Sequence, residues 1–136
     1  MGPVSASAGP ADSGASAPTW TSGAGLSGTA VVGNSTTQIF GNIISGSFKV
    51  TGLTAASGDC AATFTLPHAL VGGTFTRGDQ GGAQIAAANA TSGQNLQGFG
   101  NPTLSAATMT MSMHNPSLSP LVLDGGLHVS YLYSLL

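Results

Sequence analysis

The feature of this sequence that most constrains its fold is a period-two alternation of large apolar and hydroxyl side chains. The alternation is cleanest in residues 108–113 (TMTMSM), and it recurs within residues 47–67, where Phe48 and Val50 alternate with polar residues. A repeat of two residues places the apolar side chains on one face of a β-strand and the hydroxyls on the other. No segment of convincing length has the repeat of a helix, so the chain is predicted to be all-β.

Turn-forming residues divide this pattern into about seven or eight short strands, at the spacing of an antiparallel β-sandwich or jelly-roll-like domain. Residues 47–67 are expected to form a hairpin that ends before Pro67. Residues 83–90 are assigned to a strand, because they are too few and too closely flanked by glycine for a helix. Residues 91–102 are assigned to a loop that Leu96 and Phe99 anchor to the core. The predicted core contains Phe48, Phe64, Leu66, Met109, Met111 and Val129.

Composition divides the chain into an extended arm, residues 1–28, and a β-sandwich domain, residues 29–136. The arm is almost entirely Gly, Ala, Ser and Pro, and it contains too little apolar surface to fold alone. It has neither the basic start nor the apolar centre of a secretory signal. The segment is therefore either a disordered tail or linker, or an arm that becomes ordered on a neighbour. The lone tryptophan, Trp20, lies near its end and favours docking on a partner.

The very low charge of the chain restricts its partners. Charged residues make up 4% of the sequence, with two basic residues and a net charge of -2. Two cations cannot form the basic surface that nucleic acid or an anionic membrane requires, so neither is expected as a partner. A surface so poor in charge is poorly protected against association. We therefore expect the chain to associate with copies of itself, as a homotrimer, or with other proteins.

The sequence offers no constellation of residues for catalysis or cofactor binding. His68, His114 and His128 lack metal-ligand spacing, and the four aspartates occur without any glutamate. A GxSxG nucleophile motif is absent. Cys60 is the only cysteine and is expected to be a buried apolar side chain rather than a reactive thiol. The prediction is a protein that is not an enzyme and needs no cofactor or metal.

The tripeptide Arg77-Gly78-Asp79 is a second candidate for partner binding, beside Trp20. It spells RGD, a motif that integrins bind when an extended loop displays it, and it lies at an expected loop tip. Glycine-rich turns produce this tripeptide readily, so an ordinary turn is the favoured interpretation.

Residues 46–67, which end in FTLP, and residues 125–133 (GGLHVSYLY) resemble small structural domains of tailed-bacteriophage virions. The family includes capsid decoration (cement) or head-fibre proteins and the tip domains of tail fibres. The resemblance implies a homotrimer that is made in the cytoplasm of a bacterial host and placed on the virion surface. It favours a cement protein that binds the major capsid protein or another virion component and stabilises the head. Two alternatives remain: a tail-fibre or tail-tip protein that binds a host receptor, and a bacterial surface adhesin or pilus-type subunit.

Overall fold

The computed structural model describes residues 11–12 and 18–136, and these residues form an antiparallel all-β fold, as predicted. In the described part of the chain, no helix is long and apolar enough to cross a membrane. The strands are β1 (Ala11–Asp12), β2 (Thr19–Ala24), β3 (Leu26–Phe40), β4 (Ile43–Ala55), β5 (Gly58–Thr65), β6 (Gly81–Asn89), β7 (Gln94–Pro102), β8 (Thr108–Asn115), β9 (Leu121–Val122) and β10 (Gly126–Ser134).

The ten strands of the described residues belong to one sheet: nine follow the order β1-β3-β4-β10-β6-β7-β8-β5-β2, and β9 pairs with β4 beside this path. The sheet curls into a half-barrel, and its concave side contains the core. Phe48 on β4 and Phe64 on β5 show the curl directly, because their rings lie 5.2 Å apart although several strands separate β4 from β5 in the sheet. The interior is thus closed by two halves of one sheet that face each other.

The hairpin predicted for residues 47–67 is wrong, because β4 and β5 follow each other in the chain but do not pair. β4 pairs with β3 and β10, whereas β5 pairs with β2 and β8. Strands β2 and β3 are continuous through Gly25 and run antiparallel to β5 and β4, which makes one long ribbon bent at a corner. The Ala56 N–H donates a hydrogen bond to the Gly25 carbonyl oxygen (2.7 Å) at that corner.

This ribbon includes residues that the sequence assigned to the arm. Residues 19–28 lie in β2 and in the start of β3, paired with β5 and β4. The prediction for the rest of the arm concerns residues 1–10 and 13–17, which lie outside the described residues. The sheet therefore begins earlier in the chain than the predicted domain boundary at residue 29.

The predicted core is confirmed. Phe48, Phe64, Met109, Met111 and Val129 have no exposed surface, and Leu66 is half-buried against them. The predicted burial of Cys60 is also confirmed, since its side chain is 2% exposed.

Two tyrosines of β10 complete the core, and their hydroxyl groups form hydrogen bonds with polar groups of the protein. The Tyr131 hydroxyl lies 3.0 Å from the Thr37 hydroxyl, and the Tyr133 hydroxyl donates to the His68 carbonyl oxygen at 3.0 Å. Burial raises the pKa of both phenols above the ordinary value, and the hydrogen bonds offset only part of this effect. Both rings therefore stay neutral in the folded protein well into the alkaline range.

Candidate binding surface

Strand β7 places one aromatic ring on the convex, outer side of the sheet. Residues 91–102 were expected to be a loop, but Gln94–Pro102 forms a regular strand between β6 and β8. Leu96 points inward and is 2% exposed, as an anchor should be, whereas Phe99 points outward and is 68% exposed. The predicted anchoring role of Phe99 is therefore wrong.

The packing of β7 against the methionines of β8 explains why the large side chain is outside and glycines are inside. A Cβ atom at Gly98 would collide with the Ser112 carbonyl oxygen, and one at Gly100 would lie 2.7 Å from Cγ of Met111. The inward positions beside Phe99 thus have no room for side chains, because the β8 backbone at Ser112 and the Met111 side chain fill the space. Phe99, the only aromatic residue of β7, therefore lies on the solvent-exposed face of the strand.

Short and uncharged side chains surround Phe99 on the outer face. The strand register places Gln84 of β6 on one side of Phe99 and Ser112 of β8 on the other. The same row continues from Ser112 to Ala61 and then to Ala24. A large ring next to a row of small side chains stands above its surroundings and forms the wall of a depression.

Two depressions flank the ring, and both are lined by Gln97, Gly98 and Phe99. The first, of about 670 Å³, runs toward β5 and β2 over Ala24, Ala61 and Ser112. The second, of about 350 Å³, runs toward β10 and is lined further by Gln84, Ala86, His128 and Ser130. We call the residues that line the two depressions the Phe99 surface.

A hydrogen-bonded pair of a histidine and an aspartate lies at the far rim of the larger depression. The His114 ring Nδ1 lies 2.8 Å from Oδ1 of Asp59, and the Asp59 side chain is 95% exposed. Because an exposed pair of this kind contributes little stability, its position at a rim is compatible with a role in contacting ligands. The remaining polar groups of the surface are amides and hydroxyls, apart from His128.

The structure places Trp20 and the RGD tripeptide on different elements. Trp20 lies in β2, opposite Phe64, and its half-buried ring packs against the core of its own domain. Arg77 and Asp79 lie in an exposed turn before β6, where the Arg77 Nε donates to Asp79 Oδ1 at 3.0 Å. The tripeptide thus pairs its own charges within the turn. Partner binding by these residues stays a prediction.

Other sites for chemistry are not evident in the part of the chain that the structure describes. Within residues 11–12 and 18–136, no cluster of three or more His, Cys, Asp or Glu could hold a metal ion. Burial raises the pKa of the Cys60 thiol, and the nearby Asp59 carboxylate acts in the same direction. A raised thiol pKa disfavours the reactive thiolate form.

No protein-family model matches the chain, and no curated protein sequence matches it. Two solved structures do. The structure of avian reovirus sigmaC residues 117–326 is 16% identical with a TM-score of 0.63, over 87% of this chain and 60% of that one. The C-terminal receptor-binding domain of avian reovirus fibre sigmaC is also 16% identical, with a TM-score of 0.62 over 86% of this chain and 71% of that one.

The chain spans about 60% of the length of the first of these structures. At 16% identity, the likeness concerns the fold alone. Both neighbours come from a reovirus and neither is a tailed-bacteriophage protein, so the expected resemblance to tailed-bacteriophage virion proteins stays an expectation. Neither is described as an enzyme. What this chain shares with the two neighbours is the fold.

Proposed function

We propose that the chain is a receptor-binding domain of a viral fibre that is displayed on the virion surface. The observation that carries the proposal is the fold, which matches that of a fibre receptor-binding domain over 86% of the chain. The Phe99 surface supports it, because an exposed ring between two depressions is a ready contact for a receptor. A catalytic role is not part of the proposal.

Receptor binding by a fibre replaces capsid decoration as the favoured function. It corresponds to the tail-fibre alternative of the sequence analysis. The solved neighbours are fibre domains and not cement proteins, so the fold favours attachment to a host over attachment to a head. A bacterial adhesin receives no comparable support. The bacteriophage host and the identity of the virion partner stay expectations from the sequence.

We propose further that the domain acts as a homo-oligomer, with three copies as the expected number. Four exposed apolar side chains lie toward one end of the sheet: Phe40, Val71, Leu132 and Leu136, each between 52% and 62% exposed. We call these four residues the end patch. Backbone hydrogen bonds from Leu135 to Asn42 and from Val71 to Leu135 hold this end together. An apolar patch on a surface with so little charge favours burial against another copy.

The experiment that tests the proposed function is a partition of the labelled protein between host cells and virus particles. The full chain is mixed with intact cells of the host and, separately, with DNA-filled heads from which tails have been removed. The proposal predicts saturable binding to the cells and background binding to the heads. The reverse result would support capsid decoration and refute the proposal.

Leu132→Asp provides a variant for the oligomerisation step, because it places a charge in the end patch without touching the core. Light scattering should give an oligomer for the parent chain and a monomer for the variant. Lys49→Asp is a matched control, since it also places an aspartate on the outer face of the sheet, on β4 outside the end patch. A parent chain that stays monomeric at micromolar concentration would refute the oligomer.

A further inference from the structure

The Phe99 surface has a geometry that suits one class of ligand. Its centre is a phenyl ring that is 68% exposed, and the depressions on either side share the Gln97 side chain as a common wall. A ligand in either depression can therefore contact the apolar surface of the Phe99 ring. The floor beside it is made of small residues, Ala24, Ala61 and Ser112, so a flat ligand can approach closely.

From this arrangement we infer that the Phe99 surface binds a neutral glycan, an inference that deepens the proposed function and rests on it. The C–H groups on one side of a sugar ring carry slight positive charge, and the face of an aromatic ring is negative. Sugar hydroxyls both donate and accept hydrogen bonds, as do the amides of Gln84 and Gln97 and the hydroxyl of Ser112. The Asp59 carboxylate at the rim is a further acceptor for such hydroxyls.

The charges on this surface favour a neutral glycan over an anionic one. The carboxylate that lines it, Asp59, would repel a sialic acid or a sulfate. Of the two cations of the chain, Lys49 on β4 lies opposite His128, beside the smaller depression but not in its lining, and Arg77 lies in the exposed turn before β6. No lysine or arginine thus lines either depression.

A protein partner fits the same surface less well. Protein interfaces concentrate their binding energy in clusters of aromatic and arginine side chains. The Phe99 surface has one large apolar ring among amides, hydroxyls and alanines, together with the Asp59 carboxylate and the His114 and His128 imidazoles, and it has no arginine. A second copy of the chain has a better apolar contact in the end patch, where four large side chains are exposed.

The test is binding of the full-length protein to an array of neutral, sialylated and sulfated oligosaccharides, followed by calorimetric titration with the best neutral ligand. Phe99→Ala should weaken that binding about tenfold or more, because stacking and apolar contact are both lost. Phe99→Tyr should bind within about threefold of the parent chain, since it keeps the ring. Val31→Ala is the control: it also truncates an exposed apolar residue, but it lies on β3, four strands away along the sheet.

The outcomes separate this inference from the proposed function. Binding of the protein to host cells that Phe99→Ala leaves unchanged would overturn the glycan inference and leave the receptor-binding proposal standing. Selective binding to sialylated or sulfated ligands would overturn it too, as would an equal loss in Val31→Ala. A protein that binds neither cells nor any array member would refute both.

Discussion

Phe64→Ala should be among the most destabilising single substitutions in this domain. Phe64 has no exposed surface, and its ring contacts Phe48 at 5.2 Å and Tyr131 at 5.6 Å between centroids. Truncation of a buried phenylalanine costs about 3–5 kcal/mol, and the loss of two aromatic contacts places this site toward the upper end. For a chain of this size we expect the midpoint of thermal unfolding to fall by roughly 10–20 °C.

The assay is urea or thermal unfolding followed by circular dichroism, at one fixed protomer concentration because association adds to apparent stability. The matched control is Phe99→Ala, which removes the same ring from the outer face of the sheet and should change stability by less than about 0.5 kcal/mol. A double-mutant cycle with Phe48→Ala should give a coupling of about 0.5–1.5 kcal/mol. Equal effects of the two phenylalanine substitutions, or no coupling, would refute the curled sheet in which β4 and β5 face each other.

Two further predictions concern the close packing of β7 and the buried tyrosines. Gly98→Ala should cost about 1–3 kcal/mol because its methyl group would collide with the backbone of β8, whereas Gly72→Ala, with no atom within 4 Å, should be nearly neutral. Equal stability of the two variants in urea unfolding would show that the backbones of β7 and β8 leave room for a methyl group at Gly98, contrary to the structure. Burial raises the pKa of Tyr131 and Tyr133 in the folded state above the value of about 10 that holds in the unfolded chain. The stability that these two phenols contribute is therefore complete below about pH 10 and is lost as the pH rises above 10. The ultraviolet absorbance of tyrosinate should therefore appear together with unfolding; a titration step near pH 10 in the folded protein would contradict the burial.

The fold class and the inward-facing residues could be predicted because they depend on local periodicity. An alternation such as that of Met109 and Met111 fixes which side chains share a face, whatever the partner strand is. The pairing of strands could not be predicted in this way. The sequence favoured a local hairpin after Phe48. In the structure β4 pairs with β3 and β10, and β5 pairs with β2 and β8. This pairing arises because β2 and β3 run as one ribbon alongside β5 and β4.

The binding surface was missed although a signal for it was present. Leu96 and Phe99 are three residues apart, and in a strand such positions face opposite sides of the sheet. Had residues 94–102 been assigned to a strand, the inward position of Leu96 would have placed Phe99 outside. The depressions could not be predicted, since they depend on which strands lie beside β7. By contrast, the turn interpretation of Arg77-Gly78-Asp79 needed only local sequence.

The most direct test of the receptor-binding account is a competition for attachment of the virus to its host cells. Virions are added to cells that have been incubated with a saturating concentration of the purified parent chain, and adsorbed particles are counted. The account predicts that adsorption falls toward background, and that Phe99→Ala competes much less well than Val31→Ala. Undiminished adsorption in the presence of the parent chain, with the labelled chain found on the heads instead, would contradict it.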